Sequence, residues 1–517
     1  MANEQKSGKF TGLMKRLLSE VTVEPLVFLN FLALSYFAIP MQTGIYKVLC
    51  TKIFPGRDCT NLANDPAAED LLQKAASLWS QLMAACYLAP ALISDTLMGA
   101  LGDIYGRKIN ILIGITGMVV AWYSTMVVFA YPQLPLFILL CFNLVAGFTG
   151  FLSIVLISSF AYLADIVPEK EDLTTRMVIL QMVASVASVI GSISAAACLR
   201  VISNVKVICV GVLLMTIAFF YSLFRLDQVP PDTMRHLMLL RKQRLERNDN
   251  VHDSNNVELV KNRQVEPASD RKALSLTEDR EKDACTSKCS AIFGLLKKVL
   301  HETYLTYTKP RPDHNRLFIW ICFCVYFLHV VVDMGLQHSV FSLFLMRRPL
   351  NWTAENISLH RGAGAFINTA GSMIGVLMLK KLFKFKDTSL VLTALISSIA
   401  DRIFTGLSTK GWMIYAATSC GCLSTLLLPT MKSFTAQLVG HDEVGKVFTG
   451  FGLGSNVAHL LSAILLNSMY SATVSIYPGF VFFFGASLSF VGLLLFVFVH
   501  FEQKRYIQSN GKTDERL

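Results

Sequence analysis

Twelve apolar runs, each long enough to cross the ~30 Å hydrocarbon core of a bilayer, constrain this chain more than any other feature. They cover about residues 26–49, 76–101, 108–130, 135–164, 176–199 and 205–226, and after a polar gap 317–346, 362–380, 388–408, 412–438, 445–470 and 476–500. Lipid offers backbone N–H and C=O groups no partner, so runs of this length predict helices, with Pro40, Pro90 and Pro429 bending them rather than ending them. The expected fold class is an all-α membrane protein with twelve transmembrane helices in two six-helix bundles. Of the 517 residues, 53% are hydrophobic and 16% charged, which sets aside the several soluble domains that this length would otherwise suggest.

The gap divides the chain into an N-terminal segment 1–25, a first bundle 26–226, a largely disordered linker 227–316, a second bundle 317–500 and a tail 501–517. Residues 241–288 are rich in Arg, Asn, Asp, Glu and Lys, a composition that cannot bury a core. Most of the 47 Lys and Arg residues fall on the side of the termini, which places both termini in the cytoplasm. The net charge of +11 then lies along the inner leaflet, so the expected partner is the lipid bilayer and not nucleic acid. Residues 1–20 are polar and basic, and the apolar run from Leu26 is too long for the core of a secretory signal.

Most of the twelve cysteines lie singly within spans. Cys50 and Cys59 differ, because both fall in the loop after the first span, on the outer face, where oxidising conditions permit a disulfide. The loop between spans 7 and 8 carries two N-glycosylation patterns, Asn351-Trp352-Thr353 and Asn356-Ile357-Ser358. Their placement agrees with the charge asymmetry. The expected residence is the plasma membrane, with the lysosomal membrane as the alternative.

Between spans 2 and 3 runs GALGDIYGRK, residues 99–108. Gly99 and Gly102 permit close helix approach, Gly106 permits a turn, Asp103 can accept hydrogen bonds, and Arg107 and Lys108 mark the cytoplasmic face. This decapeptide resembles the corresponding loop of the major facilitator superfamily. The resemblance implies a rocking two-bundle transporter in which Gly99, Asp103, Gly106, Arg107 and Lys108 form an inner gate motif.

A second resemblance is more specific. Residues 467–480, NSMYSATVSIYPGF, are similar to the junction of helices 11 and 12 in the solute-carrier family of the proton-coupled folate transporter and its lysosomal and thymic relatives. Pro349-Leu350-x-Trp352, Ser159-Phe160-Ala161-x-x-Ala164-Asp165 and Arg176-Met177 support it. The resemblance implies secondary transport of a folate-like or small glycopeptide-like organic anion, with protons as possible co-substrate. Departures accompany it: the family's helix 5 carboxylate corresponds to Gln181, its helix 4 carboxylate to Phe151, its helix 7 histidine to Met334 and its cysteine after helix 7 to Asn351. The helix 10 arginine corresponds to Lys432, so a cation persists there.

Ionisable groups inside spans are costly and therefore functional candidates. They are Asp95, Asp165, Arg225, His329, Asp333, His338, Asp401, Arg402, Lys432 and His459. His329, Asp333 and Gln337 recur every four residues along one helical face, which makes His329 and Asp333 the proton-coupling candidates in place of Gln181. Asp401 and Arg402 point about 100° apart, so each needs a partner on another helix. Gln42, Thr43, Gln181, Gln337 and Lys432 are the candidates for substrate binding or gating. The chain contains no GxSxG, HExxH or GxxxxGK[ST] pattern, so no catalytic residue, metal, cofactor or ATP-driven cycle is expected. The competing expectation is a membrane receptor or scaffold that kept the transporter fold without transport.

Overall fold

The computed structural model describes residues 22–56, 65–166, 170–227, 301–311, 314–382, 385–439 and 443–514. Among the described residues, twelve helices are long and apolar enough to cross a membrane. In the first half these are α1 (Glu24–Ile53), α2 (Pro66–Tyr105), α3 (Arg107–Ala130), α4 (Phe137–Phe148, continued by Phe151–Ile166), α5 (Lys170–Val201) and α6 (Asn204–Arg225). In the second they are α7 (Asn315–Gly335, extended by Phe341–Met346), α8 (Ala354–Val376), α9 (Asp387–Leu407), α10 (Gly411–Cys420, then Leu427–Gln437), α11 (Val444–Thr473) and α12 (Phe480–Asp514). Large apolar side chains such as Ile93, Phe366 and Met373 remain more than half exposed, as a lipid-facing surface requires.

Helix ends depart from the apolar runs wherever a polar first turn carries its own cap. Asp65 accepts from Ala68 N at 3.2 Å and starts α2 ten residues before its apolar run. Thr353 accepts from Asn356 N at 3.4 Å and starts α8 eight residues early. Proline behaves differently at its three sites. Pro40 and Pro90 sit inside helices, whereas Pro429 falls in the first turn of Leu427–Gln437, where no N–H is needed. The interruption of α10 therefore lies earlier, at residues 421–423. Helix α4, expected to be continuous, breaks at Gly150 (φ 79°) and Phe151 (φ 47°). A Cβ on Gly150 would come within 2.8 Å of Asp95 Oδ1, so both backbone and contact demand glycine.

The halves meet through α5 against α8 and α2 against α11. Polar contacts between them gather at the end opposite the termini. Gln73 donates to Leu343 O (3.2 Å) and accepts from the Tyr470 hydroxyl (3.2 Å), Ser77 donates to Asn467 O (2.8 Å), and Ser358 donates to Ser192 O (2.9 Å). Asp70 pairs with Arg347 and Glu355 with Arg200 beside them.

At the other end, residues 301–308 are helical, although the sequence reading assigned them to a disordered linker. Packing explains the order. The Tyr307 ring occupies the notch over Gly450, where a Cβ would approach within 2.6 Å, and its hydroxyl donates to Val447 O at 3.0 Å. Lys309 and Arg311 both pair with Glu443 at 2.7 Å. The hydrogen bond from Lys309, then that from Arg311, holds the Glu443 carboxyl below its ordinary range despite some desolvation. The linker residues between Asp227 and His301 lie outside the described residues.

Candidate substrate cavity

A cavity of about 350 Å³ lies between the halves and reaches into the second. From the first half come Phe31, Leu34, Ser35 and Ala38 of α1 with Ser188 and Ser192 of α5, a wall of apolar and hydroxyl groups. The second half supplies the charges: Asp333 of α7, Arg361 of α8, and Asp401 and Arg402 of α9.

Two interruptions of helical regularity and a pair of serines build this charged wall. The residues Leu336–Val340 of α7 form a π-helical turn, a distortion that leaves backbone groups available to side chains. Gln337 O there accepts from Arg361 Nη2 at 2.9 Å, while the Gln337 side chain donates to Asp333 Oδ1 at 2.8 Å. The unwound stretch of α10 supplies the second. A Cβ on Gly421 would lie 2.8 Å from Asp401 Cβ, so only glycine lets the α9 carboxylate nest there. Ser398, one turn before Arg402 on the same regular helix, is bonded to it, as is Ser489 of α12 at 3.0 Å. Arg402, 4% exposed, also lies 3.9 Å from Asp333. It thus has the interhelical partner that its position next to Asp401 demanded, and its Nη1 donates to two hydroxyls. His360 bonds to the Thr418 hydroxyl at 3.0 Å and packs among Phe341, Trp352 and Tyr415.

The sequence candidates are dispersed by the fold. Asp333 and Gln337 line the cavity; His329 is buried, its Nδ1 has no hydrogen-bond partner among the described residues, and it is not among the lining residues. Thr43 accepts from Asn204 at 2.8 Å, a joint between α1 and α6, and the buried Gln42 Oε1 next to it has no hydrogen-bond partner among the described residues. Gln181 is exposed on α5. Lys432 stands 5.7 Å from the Tyr326 ring centroid, outside the cavity lining. In the motif between α2 and α3, Arg107 pairs with Asp165 of α4 at 3.4 Å, Lys108 donates to Leu223 O at 2.8 Å, and Gly106 adopts φ 94°. The surroundings of Gly99 and the side chains of Asp103 and His338 lie outside the described residues. Cys50 is disulfide-bonded, and Cys59 lies outside the described residues. Asn351 and Asn356 are both exposed.

Sequence reasoning missed His360 and Arg361. Starting α8 at residue 362 put both in a loop; Thr353 as N-cap with the acidic Glu355 in the first turn was the start signal that moves them nearly two turns inside the helix.

Two bundles closing over a central polar cavity define a membrane transporter, and comparison with known proteins agrees. The family model of the Major Facilitator Superfamily matches residues 26–463. The chain belongs to this superfamily. Among its relatives, the lysosomal proton-coupled steroid conjugate and bile acid symporter SLC46A3 of Gallus gallus is 22% identical over 91% of this chain and 92% of that one. The proton-coupled folate transporter of Rattus norvegicus is 24% identical over 92% and 90%. A probable peptidoglycan muropeptide transporter of Drosophila melanogaster is 28% identical over 38% of each chain. Crystal structures of the nucleoside transporter NupG (TM-score 0.59, 10% identity, 92% and 98% covered) and of the peptide transporter POT (TM-score 0.57, 11% identity, 94% and 95% covered) share the fold.

Proposed function

We propose that this transporter carries an organic anion together with a proton, with both termini cytoplasmic and the closed end of the molecule facing outward. The observation that carries this reading is the charge balance of the cavity. Asp333 and Asp401 offset Arg361 and Arg402, so the four groups sum to zero when both carboxylates are ionised. One proton on either carboxylate leaves a net positive charge, which favours one anion; the anion in turn favours the proton. Arg402, beside Asp401 and within 3.9 Å of Asp333, couples the two carboxylates: Asp333 holds Arg402, Asp401 takes the proton, and together they perform the coupling role that Gln181 cannot. The names of the relatives support the class, since they include a proton-coupled folate transporter and a proton-coupled symporter of steroid conjugates and bile acids. Outward placement of the closed end is supported by the sequons at Asn351 and Asn356 and by the basic residues on the side of the termini. The motif Gly99–Lys108, whose Arg107 is held by Asp165, is then the inner gate element.

Purified protein in proteoliposomes tests the reading with an inside-alkaline pH gradient and labelled folate or bile acid. Accumulation that follows the pH gradient, and for a monoanion does not respond to membrane potential, is expected. Uptake indifferent to pH removes the coupling.

A further inference from the structure

The four charged groups of the cavity are not equally occupied. Arg402 is held by Asp333, Ser398 and Ser489. Arg361 has one hydrogen-bond partner among the described residues, the backbone carbonyl of Gln337, and pairs with no carboxylate within 4.0 Å. A guanidinium inside a protein that keeps its charge without a counter-ion is costly, and its planar fork matches a carboxylate or sulfate with two parallel hydrogen bonds. The carbonyl that holds it belongs to the π-helical turn, so the guanidinium is oriented by the backbone while most of its five donors stay available. Elsewhere along the cavity stand Phe31 and Leu34 of α1, Phe341 of α7 and Phe482 of α12.

We infer that Arg361 is the docking site for the anionic group of the cargo, and that the cargo is an amphipathic monoanion whose apolar body lies against Phe31, Leu34, Phe341 and Phe482. This rests on the transport reading above, but concerns binding and is testable without a gradient. Asp333, Arg402 and Asp401 remain the proton-linked groups, while Arg361 selects the cargo.

The test uses equilibrium binding to the purified full-length protein, with a free bile acid and its uncharged methyl ester as probes. Wild type is expected to bind the acid at least about tenfold more tightly than the ester, the value of one charge-assisted contact. Arg361→Gln should abolish that preference while keeping ester affinity, and Arg361→Lys should keep the charge preference in reduced form. Thermal unfolding of each variant confirms that it is folded; if Arg361→Gln is not, the reduced preference of Arg361→Lys decides. A folded Arg361→Gln, or an Arg361→Lys, that keeps the full preference overturns the inference, as does a wild type that binds acid and ester equally. Retained binding preference with no anion uptake in proteoliposomes contradicts the transport reading instead, so the two failures are separable.

Discussion

The halves of this molecule share an architecture and divide the chemistry. Where the first half faces the cavity it offers Phe31, Leu34, Ala38 and three serines, and where the second half faces it there are two carboxylates and two guanidiniums. Among the described residues, neither buried carboxylate of the first half lines the cavity: Asp95 lies beside the break in α4, and Glu69 lies in the first turn of α2. On the transport reading proposed above, recognition and coupling reside in α7, α8 and α9, while α1 and α5 supply a neutral wall that the charged half closes against. Such a division keeps the ion cluster intact while one half rocks on the other, because its partners lie on the same half.

The largest effect is expected at Arg402. Replacing it with alanine leaves Asp333 facing Asp401 without the cation between them, a loss of about 3–5 kcal/mol for breaking a buried pair. Thermal unfolding should register it, and Arg402→Lys should recover part. A comparable loss from Ser188→Ala, in the neutral wall, would break the comparison. Next comes the outer closure. Gln73 joins the halves through two hydrogen bonds, so Gln73→Ala should shift the balance of states by about 1–2 kcal/mol toward opening on the side away from the termini. Labelling of a cysteine introduced at Ser35 by an impermeant maleimide from that side should then quicken; an unchanged rate means that the apolar contacts alone hold the closure. A smaller effect is expected at Lys432, which sits over Tyr326 outside the cavity lining. Lys432→Met should weaken anion uptake less than Arg361→Gln does, and Lys432→Arg should preserve it. The reverse order would move the binding site toward α10.

The smallest effect concerns the clasp of residues 301–311. Its carboxyl, Glu443, has a folded pKa below the unfolded value near ~4.3, so its contribution is complete above that value and is lost as pH falls through the depressed one. Glu443→Gln should remove this acid-side dependence. Protection of the amides near Tyr307 in hydrogen exchange, compared in wild type and variant between neutral and acid pH, reads it out. Protection that weakens as pH rises instead would contradict the sign.

The twelve helices were legible because period and length in lipid leave one solution, and the two sixes because a long charged stretch separates them. What the sequence concealed were departures from regularity. No hydropathy pattern marks the π-helical turn at Leu336–Val340 or the unwinding after Cys420, yet these place Arg361 and Asp401 at the cavity. The stripe His329, Asp333, Gln337 assumes a straight 3.6-residue helix; the fold directs Asp333 and Gln337 to the cavity and encloses His329 in protein. Arg402 was readable as a buried cation in need of a partner, but Asp333 of α7 and Ser489 of α12 reach it only in three dimensions. The docking of residues 301–308 depends on Gly450, over a hundred positions later, a contact that no local pattern encodes.

In the proposed cycle, a proton on Asp401, the α9 carboxylate, leaves the cavity with the net positive charge that admits an anion. Asp401→Asn fixes that position as permanently neutral, the electrostatic equivalent of the protonated state. In proteoliposomes loaded with unlabelled bile acid or folate, the variant should still exchange it for labelled substrate, while a pH gradient should no longer drive accumulation above the equilibrium level. Gradient-driven accumulation in Asp401→Asn equal to that of wild type would contradict the account.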